Sequence, residues 1–210
     1  MPLCKVEPIG KQSSWALWQI EETIEELWQQ LNPTAEAQFE YQHIHHHQKK
    51  LEWLASRLII KHLVKSQGNS FLGIYKDAFG KPHLHKLRFH ISIAHCFPLA
   101  VGAIHQTHSI GIDIERPRRK LLRIRDRFLN QQEAAAAGTD LHTLCKFWTS
   151  KEVLYKIYGR KKLIFREHMD VLENIDHPGQ LVGNIEYKGF RESYSILIDQ
   201  FDGHFIAYNF

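Results

Sequence analysis

Cysteine is scarce in this 210-residue chain: Cys4, Cys96 and Cys145 are an odd number, and no two stand at the spacing of a metal-binding pair. A disulfide framework and a cysteine-based zinc site are thereby excluded, and a reducing setting such as the cytoplasm is expected. Nowhere do about eighteen apolar residues follow one another, so no membrane-spanning helix is expected. The opening stretch has no apolar run after its basic residue, so no export leader is expected either. A phosphate loop of the G-x-x-x-x-G-K-[ST] type is also missing, which removes one common class of nucleotide enzyme. Low-complexity sequence is absent apart from the alanines at 134–137, which are ordinary helix formers.

What is present suffices for a substantial core. Hydrophobic residues make up 43% of the chain, enough at this length for one large domain or two small ones. There are 27 basic and 23 acidic residues, a formal charge of +4 that favours an anionic partner: a phosphate compound, a nucleic acid or an acidic protein.

Ile20, Ile24, Leu27 and Leu31 recur at helical spacing up to Asn32-Pro33 and predict an amphipathic helix, with a second after Thr34. Leu51, Leu54, Leu58 and Ile59 predict a third, from Lys49 to about Lys65, with its polar face beginning at Lys49 and Lys50. From Phe71 the pattern changes to short apolar runs separated by turn residues: FLGIY, DAFGKP, FHISIA and LAVGAI predict antiparallel strands. SIGIDIE predicts another strand, ended by Pro117. The same order then recurs, with helical segments over 120–137 and 141–158 followed by strands near IEY, YSILID and HFIAYNF. Two halves are therefore expected, 1–105 and 106–210.

Two segments carry chemistry. In SIGIDIE, the strand period of two sends Ile110, Ile112 and Ile114 to one face and Gly111, Asp113 and Glu115 to the other. Asp113 and Glu115 then lie about 7 Å apart at their Cα atoms, within reach of one hard cation. Gly111 beside them is read as room for a ligand. Paired acids on an edge strand can also serve only to discourage aggregation, but no basic residue on that face neutralises them. Arg116, Arg118, Arg119 and Lys120 follow at once, and an acidic site walled by basic residues suits a metal that holds a phosphate.

The second segment is KFWTSKEVLYKIYG, in which Glu152 and Lys156 share a helical face with Lys151 and Tyr155 adjacent. Read structurally, Thr149-x-x-Glu152 is a capping box and Glu152–Lys156 a helical ion pair. Read functionally, Glu152 is a third oxygen ligand, while Lys151 and Lys156 hold a pyrophosphate leaving group. Between the segments, Arg123, Arg125 and Arg127 form either a solvated face or a surface for an acidic partner. The run His43 to His47 invites a zinc reading, with His43 and His47 one helical turn apart, but it has no third ligand nearby.

Taken together, GIDIE followed downstream by FWTSKEVLYK resembles the signature of the 4′-phosphopantetheinyl transferase superfamily. Gly80-Lys81-Pro82, the strand HISIAHC, and Phe128 with Glu133 resemble further elements of that family. The resemblance is to its larger, two-halved type, similar to the surfactin-synthetase-activating enzyme. It implies an α+β fold of two pseudo-symmetric halves, each a long helix packed on a small antiparallel sheet, in a pseudo-dimeric monomer. It implies that Asp113, Glu115 and Glu152 bind magnesium, with manganese as the alternative, and that Glu152 and Lys156 are catalytic. It further implies that Lys50, Lys81, His95, Lys151 and Lys156 contact coenzyme A. The expected reaction moves phosphopantetheine from coenzyme A to a serine of an acidic apo acyl or peptidyl carrier protein and releases 3′,5′-ADP. One departure is Ala94, where the family has a serine before the histidine. A magnesium-dependent phosphohydrolase, or a nucleic-acid-binding module built on RPRRKLLRIRDR, remain the alternatives from the residues alone.

Overall fold

The structure, a computed structural model, describes residues 3–210. It divides into two compact units, Met1–Ile110 and Gly111–Phe210. This division lies a few residues beyond 105/106. The turn after His105 is tied back into the first unit, because the Gln106 N–H donates to the Gln12 carbonyl and its side chain to Gln67.

The first unit opens with a hairpin that the sequence pattern does not reveal, β1 (Leu3–Gly10) and β2 (Ser13–Gln19). In β1 the half-buried set includes Lys5 and Glu7, while Val6 is exposed, so hydropathy and burial disagree. β2 runs between two neighbouring strands, and Trp15, Ala16, Leu17 and Trp18 are all buried, so its apolar run has no alternation to read. Helix α1 (Ile24–Leu31) starts later than Ile20 because Thr23 caps it. The Thr23 hydroxyl accepts from the Glu26 N–H, and the Glu26 carboxylate accepts from the Thr23 N–H. Asn32, in the left-handed region, ends it as expected.

Helices α2 (Ala35–Gln42) and α3 (His47–Ser66) follow, then β3 (Ile74–Lys76), β4 (Pro82–Leu84), β5 (His90–Cys96) and β6 (Leu99–His105). The six strands form one antiparallel sheet in the order β1-β2-β6-β5-β4-β3. The α3 residues Leu54, Ile59, Ile60 and Leu63 are fully buried in its core. Glu52, Ser56 and Arg57 are buried as well, so α3 is covered on more than the one face that its leucines predict. His43 lies beyond the end of α2 and His47 begins α3, so the two do not share a helical turn. The zinc reading fails on that geometry, and among the described residues no three His, Cys, Asp or Glu side chains are gathered as a ready-made metal shell.

The second unit begins with β7 (Ile112–Glu115), followed by α4 (Lys120–Phe128), α5 (Gln131–Ala137), α6 (Leu141–Tyr158) and α7 (Phe165–His168). The helical segment expected over 120–137 is broken because Asn130 caps α5 in a reciprocal box with Glu133. Strands β8 (Met169–Glu173), β9 (Gln180–Tyr187), β10 (Phe190–Phe201) and β11 (His204–Asn209) complete an antiparallel sheet ordered β7-β11-β10-β9-β8. Leu144, Val153 and Leu154 of α6 pack with Ile185 and Ile196 in its core. Each such side chain, fully buried, contributes roughly 1.5–3 kcal/mol.

The two units share a topology. Apart from the edge strand β1, which only the first unit has, each runs from one strand (β2 or β7) through helices of which α3 or α6 is the longest to a four-strand meander whose final strand returns to pair with that strand. β6 pairs with β2 in one unit and β11 with β7 in the other. The fold is therefore α+β in two topologically equivalent halves. Among the described residues no helix is long and apolar enough to cross a membrane.

Candidate active site

The acidic strand lies at the edge of the second sheet, with Asp113 opposite Ala207 and Glu115 opposite Phe205. Its Gly111 side faces α6. A Cβ at Gly111 would lie 2.5 Å from the Val153 carbonyl oxygen and 3.1 Å from Ile157. Gly111 thus permits close packing of strand start against helix backbone, which corrects its reading as room for a ligand. Its N–H donates to Asn209 Oδ1 at 2.7 Å. Gly111→Ala is expected to cost about 1–3 kcal/mol, because the clash is with backbone that cannot rotate away. A lowered midpoint in thermal or urea unfolding checks it; an unchanged midpoint would refute the close packing.

That packing sets Asp113 against α6. The Asp113 carboxylate is largely buried, and its Oδ1 accepts from Lys156 Nζ at 2.7 Å. Lys156 also donates to the Ile112 carbonyl at 2.8 Å. The helical ion pair expected between Glu152 and Lys156 is therefore replaced by a bridge from helix to strand. Burial, and next to it the neighbouring Glu115, raise the Asp113 pKa against the lowering charge of Lys156. Glu115 is half-exposed at the strand end, accepts from the Arg116 N–H at 2.8 Å, and lies 3.8 Å from Arg118 Nε.

Glu152 is the least satisfied acid of the group. Among the described residues no side chain donates a hydrogen bond to it. Burial first, then the negative charge of Asp113 and to a lesser degree of Glu115, pushes its pKa up to about 7, with Lys156 opposing. Three carboxylates thus lie within electrostatic reach of one another, with Lys156 beside Asp113 and Glu152, and Arg118 beside Glu115 at the strand end. The all-oxygen donor set, with Glu152 accepting no side-chain hydrogen bond, fits a hard divalent cation. The side chains as they lie do not close around a common point.

The helix carrying Glu152 starts earlier than Thr149. Asp140 caps α6 by accepting from the Thr143 N–H at 2.8 Å. Thr149 lies inside the helix, where its hydroxyl donates to the Cys145 and Lys146 carbonyls, so the capping-box reading falls away.

Lys151 requires a larger correction. It has no exposed surface, and its ammonium reaches four acceptors: Phe128 O (2.6 Å), Glu133 Oε2 (2.6 Å), Met169 O (2.8 Å) and Phe165 O (3.2 Å). An ammonium has three protons to donate, so this set saturates it and leaves nothing for coenzyme A. Glu133 is equally buried, and takes the N–H groups of Asn130 and Val171 at 2.8 Å each. Lys151 is a brace that joins α6 to the end of α4, to α5, to α7 and to the start of β8.

The remaining expected contacts lie in the first unit. Lys81 sits in a tight turn in which Gly80 adopts φ +84° and Asp77 accepts the N–H groups of Phe79 and Lys81 at 2.9 Å each. Burial lowers the Lys81 pKa, with Asp77 opposing. His95, on β5, is exposed, and its Nδ1 lies 3.2 Å from Oε2 of Glu52, a buried residue of α3. Ala94 beside it is buried. Lys50 extends over the Tyr41 ring at 5.1 Å, whereas Lys49 pairs with Glu52 at 2.8 Å. Glu52 was not among the sequence candidates. Its only signal is an acid between Leu51 and Trp53 on the apolar side of a helix.

Residues 109–207 match the family model described as the 4′-phosphopantetheinyl transferase superfamily. No curated protein matches the chain.

Proposed function

Because residues 109–207 match the model of the 4′-phosphopantetheinyl transferase superfamily, we propose that the chain transfers phosphopantetheine from coenzyme A to a serine of an apo acyl or peptidyl carrier protein. The observation that carries the reading is the cluster of Asp113, Glu115 and Glu152 around Lys156, inside the matched span. Asp113, Glu115 and Glu152 would hold magnesium, or manganese, which supplies charge neutralisation for a pyrophosphate when bound.

Lys156 supplies positive charge beside that position and is itself held by Asp113, so its ammonium is oriented before substrate arrives. Glu152, which accepts no hydrogen bond from another side chain, is the acid suited to take the proton of the carrier serine hydroxyl. The serine Oγ then forms a bond to the phosphorus next to pantetheine, the phosphoanhydride bond breaks, and 3′,5′-ADP leaves. In the first unit Lys81, His95 and Lys50 are the residues proposed to contact the nucleotide end of coenzyme A. The exposed Arg116, Arg118, Arg119, Arg123 and Arg127 give the second unit a basic surface suited to an acidic carrier. We place the reaction in the cytoplasm, where coenzyme A and apo carriers meet.

The phosphohydrolase and nucleic-acid readings are not favoured, since neither accounts for the acidic strand and the α6 motif falling together within the family match. The test incubates the protein with magnesium, coenzyme A and apo carriers of fatty-acid, polyketide and peptide-synthetase type, and measures the mass of each carrier. One carrier that gains phosphopantetheine supports the proposal. Folded protein that modifies none of them overturns it.

A further inference from the structure

The first unit holds a recess of about 290 Å³ that the mechanism does not use. Leu3 of β1, Trp18 of β2 and Leu58 of α3 form its apolar wall, and Lys61 and Lys65 of α3 line it beside them. The Trp18 indole N–H is already donated to Glu22 Oε2 at 3.3 Å, so the ring offers the recess apolar surface and no hydrogen bond. Lys61 and Lys65 stand four residues apart on one helical face. Lys61 Nζ donates to the Gln30 and Leu31 carbonyls at 2.8 Å each, where α1 ends, and one of its three protons is left over. Lys65 is exposed, with no hydrogen bond and no carboxylate partner among the described residues.

The positive charge at this place is uncompensated. No acidic side chain lines the recess, and none lines a polar cavity of about 350 Å³ to which the same two lysines, Arg57, Asn69 and Ser70 contribute. Arg57 is spent on Glu40 at 2.6 Å, whereas Lys65 is spent on nothing. Burial, and next to it the like charge of Lys65, lower the Lys61 pKa, so the two ammoniums repel each other. A lysine in the last turn of a helix is favoured by the helix dipole, and Lys61 secures the end of α1, but neither role calls for an apolar recess beside the pair. Sites for small ligands combine a mostly apolar wall with a few convergent polar groups, which is the combination found here.

We propose that this recess binds a carboxylate with an aliphatic tail. The tail lies against Leu3, Trp18 and Leu58, and the carboxylate accepts from Lys65 and from the remaining proton of Lys61, both charge-assisted hydrogen bonds. A small inorganic anion would leave the apolar wall wet, and a neutral alcohol would leave the ammoniums without a partner. The two features together therefore select an amphipathic anion. None of the residues assigned to coenzyme A or to the metal lines the recess, so this site is separate from the transfer reaction and stands or falls without it.

The full-length protein is titrated with octanoate, octanol and acetate by calorimetry, while proton–nitrogen NMR follows the indole N–H signals and Trp18→Phe identifies the one from Trp18. Octanoate is expected to shift the Trp18 signal and to bind about tenfold more tightly than octanol, the size of one charge-assisted hydrogen bond. Its margin over acetate is expected to be at least about a hundredfold, since each buried methylene is worth about fourfold. Lys65→Gln, at an exposed position, should weaken octanoate about tenfold and leave octanol unchanged. Leu3→Glu, which puts a carboxylate at the rim, should abolish octanoate binding, and circular dichroism checks that both variants are folded. Saturating coenzyme A should leave the octanoate Kd where it was. Octanoate that binds no more tightly than octanol or acetate, a Trp18 signal that does not move, an affinity indifferent to Lys65→Gln, or displacement by coenzyme A would each overturn the proposal.

Discussion

Replacing Lys151 with methionine is expected to destabilise the protein by about 3–5 kcal/mol, the cost of leaving a buried charge without its partner. A domain of ordinary stability has about 5–15 kcal/mol to lose, so the variant should be close to unfolding at 37 °C. The reason is in the geometry: removing the ammonium leaves Glu133 buried with only the Asn130 and Val171 N–H groups, and strips the Phe128 and Met169 carbonyls of their donor. Glu133→Gln should also be destabilising, because the amide has a single acceptor oxygen: if it faces the ammonium and the Asn130 N–H, its NH2 meets the Val171 N–H. Lys151→Met combined with Glu133→Gln should recover part of the loss, since no unpaired charge then remains. Urea unfolding of the four proteins as a double-mutant cycle checks this. Two losses that add without coupling would mean that the pair is not a brace. If Lys151→Met stayed fully stable and lost only affinity for coenzyme A, the ammonium would be a ligand-binding group after all.

Glu152→Gln is expected to abolish transfer, by about 10²- to 10⁴-fold for the loss of the proton acceptor alone, and yet to stabilise the metal-free protein at pH 8. The sign follows from the raised pKa. In the unfolded chain Glu152 ionises near its ordinary value of 4.5, whereas in the fold it ionises at about 7. Below pH 4.5 both states are protonated and the group costs nothing. As the pH rises toward 7 the unfolded state ionises first, so stability falls, and above 7 the full cost is present. Glutamine never ionises and escapes that loss. Thermal unfolding of metal-free wild type and variant at pH 4.5, 6 and 8 should therefore diverge with rising pH. Magnesium should raise the wild-type midpoint at pH 8 and have much less effect on Glu152→Gln. A wild-type protein indifferent to magnesium at pH 8 would remove the metal from the proposal.

These two residues are neighbours in the sequence and lead opposite lives, and nothing in the motif distinguishes them. From WTSKEVLYK alone, Lys151 and Glu152 are equally plausible ligands of a charged substrate. Their difference arises from what the chain brings to each side of α6. Glu133, Phe128 and Met169 close over Lys151, while Asp113 and Lys156 surround Glu152. Gly111 makes the same point: its absence of a side chain is visible in SIGIDIE, but whether a ligand or a helix backbone fills the space is decided by the Val153 carbonyl. Short apolar runs bounded by turn residues are legible even where both faces are covered: HISIA and LAVGAI form β5 and β6, and β6 is buried on both faces. Ile110, Ile112 and Ile114 are buried as the strand period requires, but Gly111 and Asp113 opposite them are buried too, because α6 packs on that side. In β2 the four consecutive buried residues carry no period at all, and the strand goes unread.

By itself, then, the sequence determined the strand and helix that bear the acids and the lysine of the candidate site, and the repeated element order. Those features are local, recorded in spacings of two and of three to four residues that each element must satisfy to bury one side. Only the tertiary structure decided which lysine is a brace, which acid lacks a donor, and which carboxylate lies beside His95. Such partners lie far apart in the chain, and a side chain's charge is spent on whatever packing brings within three ångströms of it.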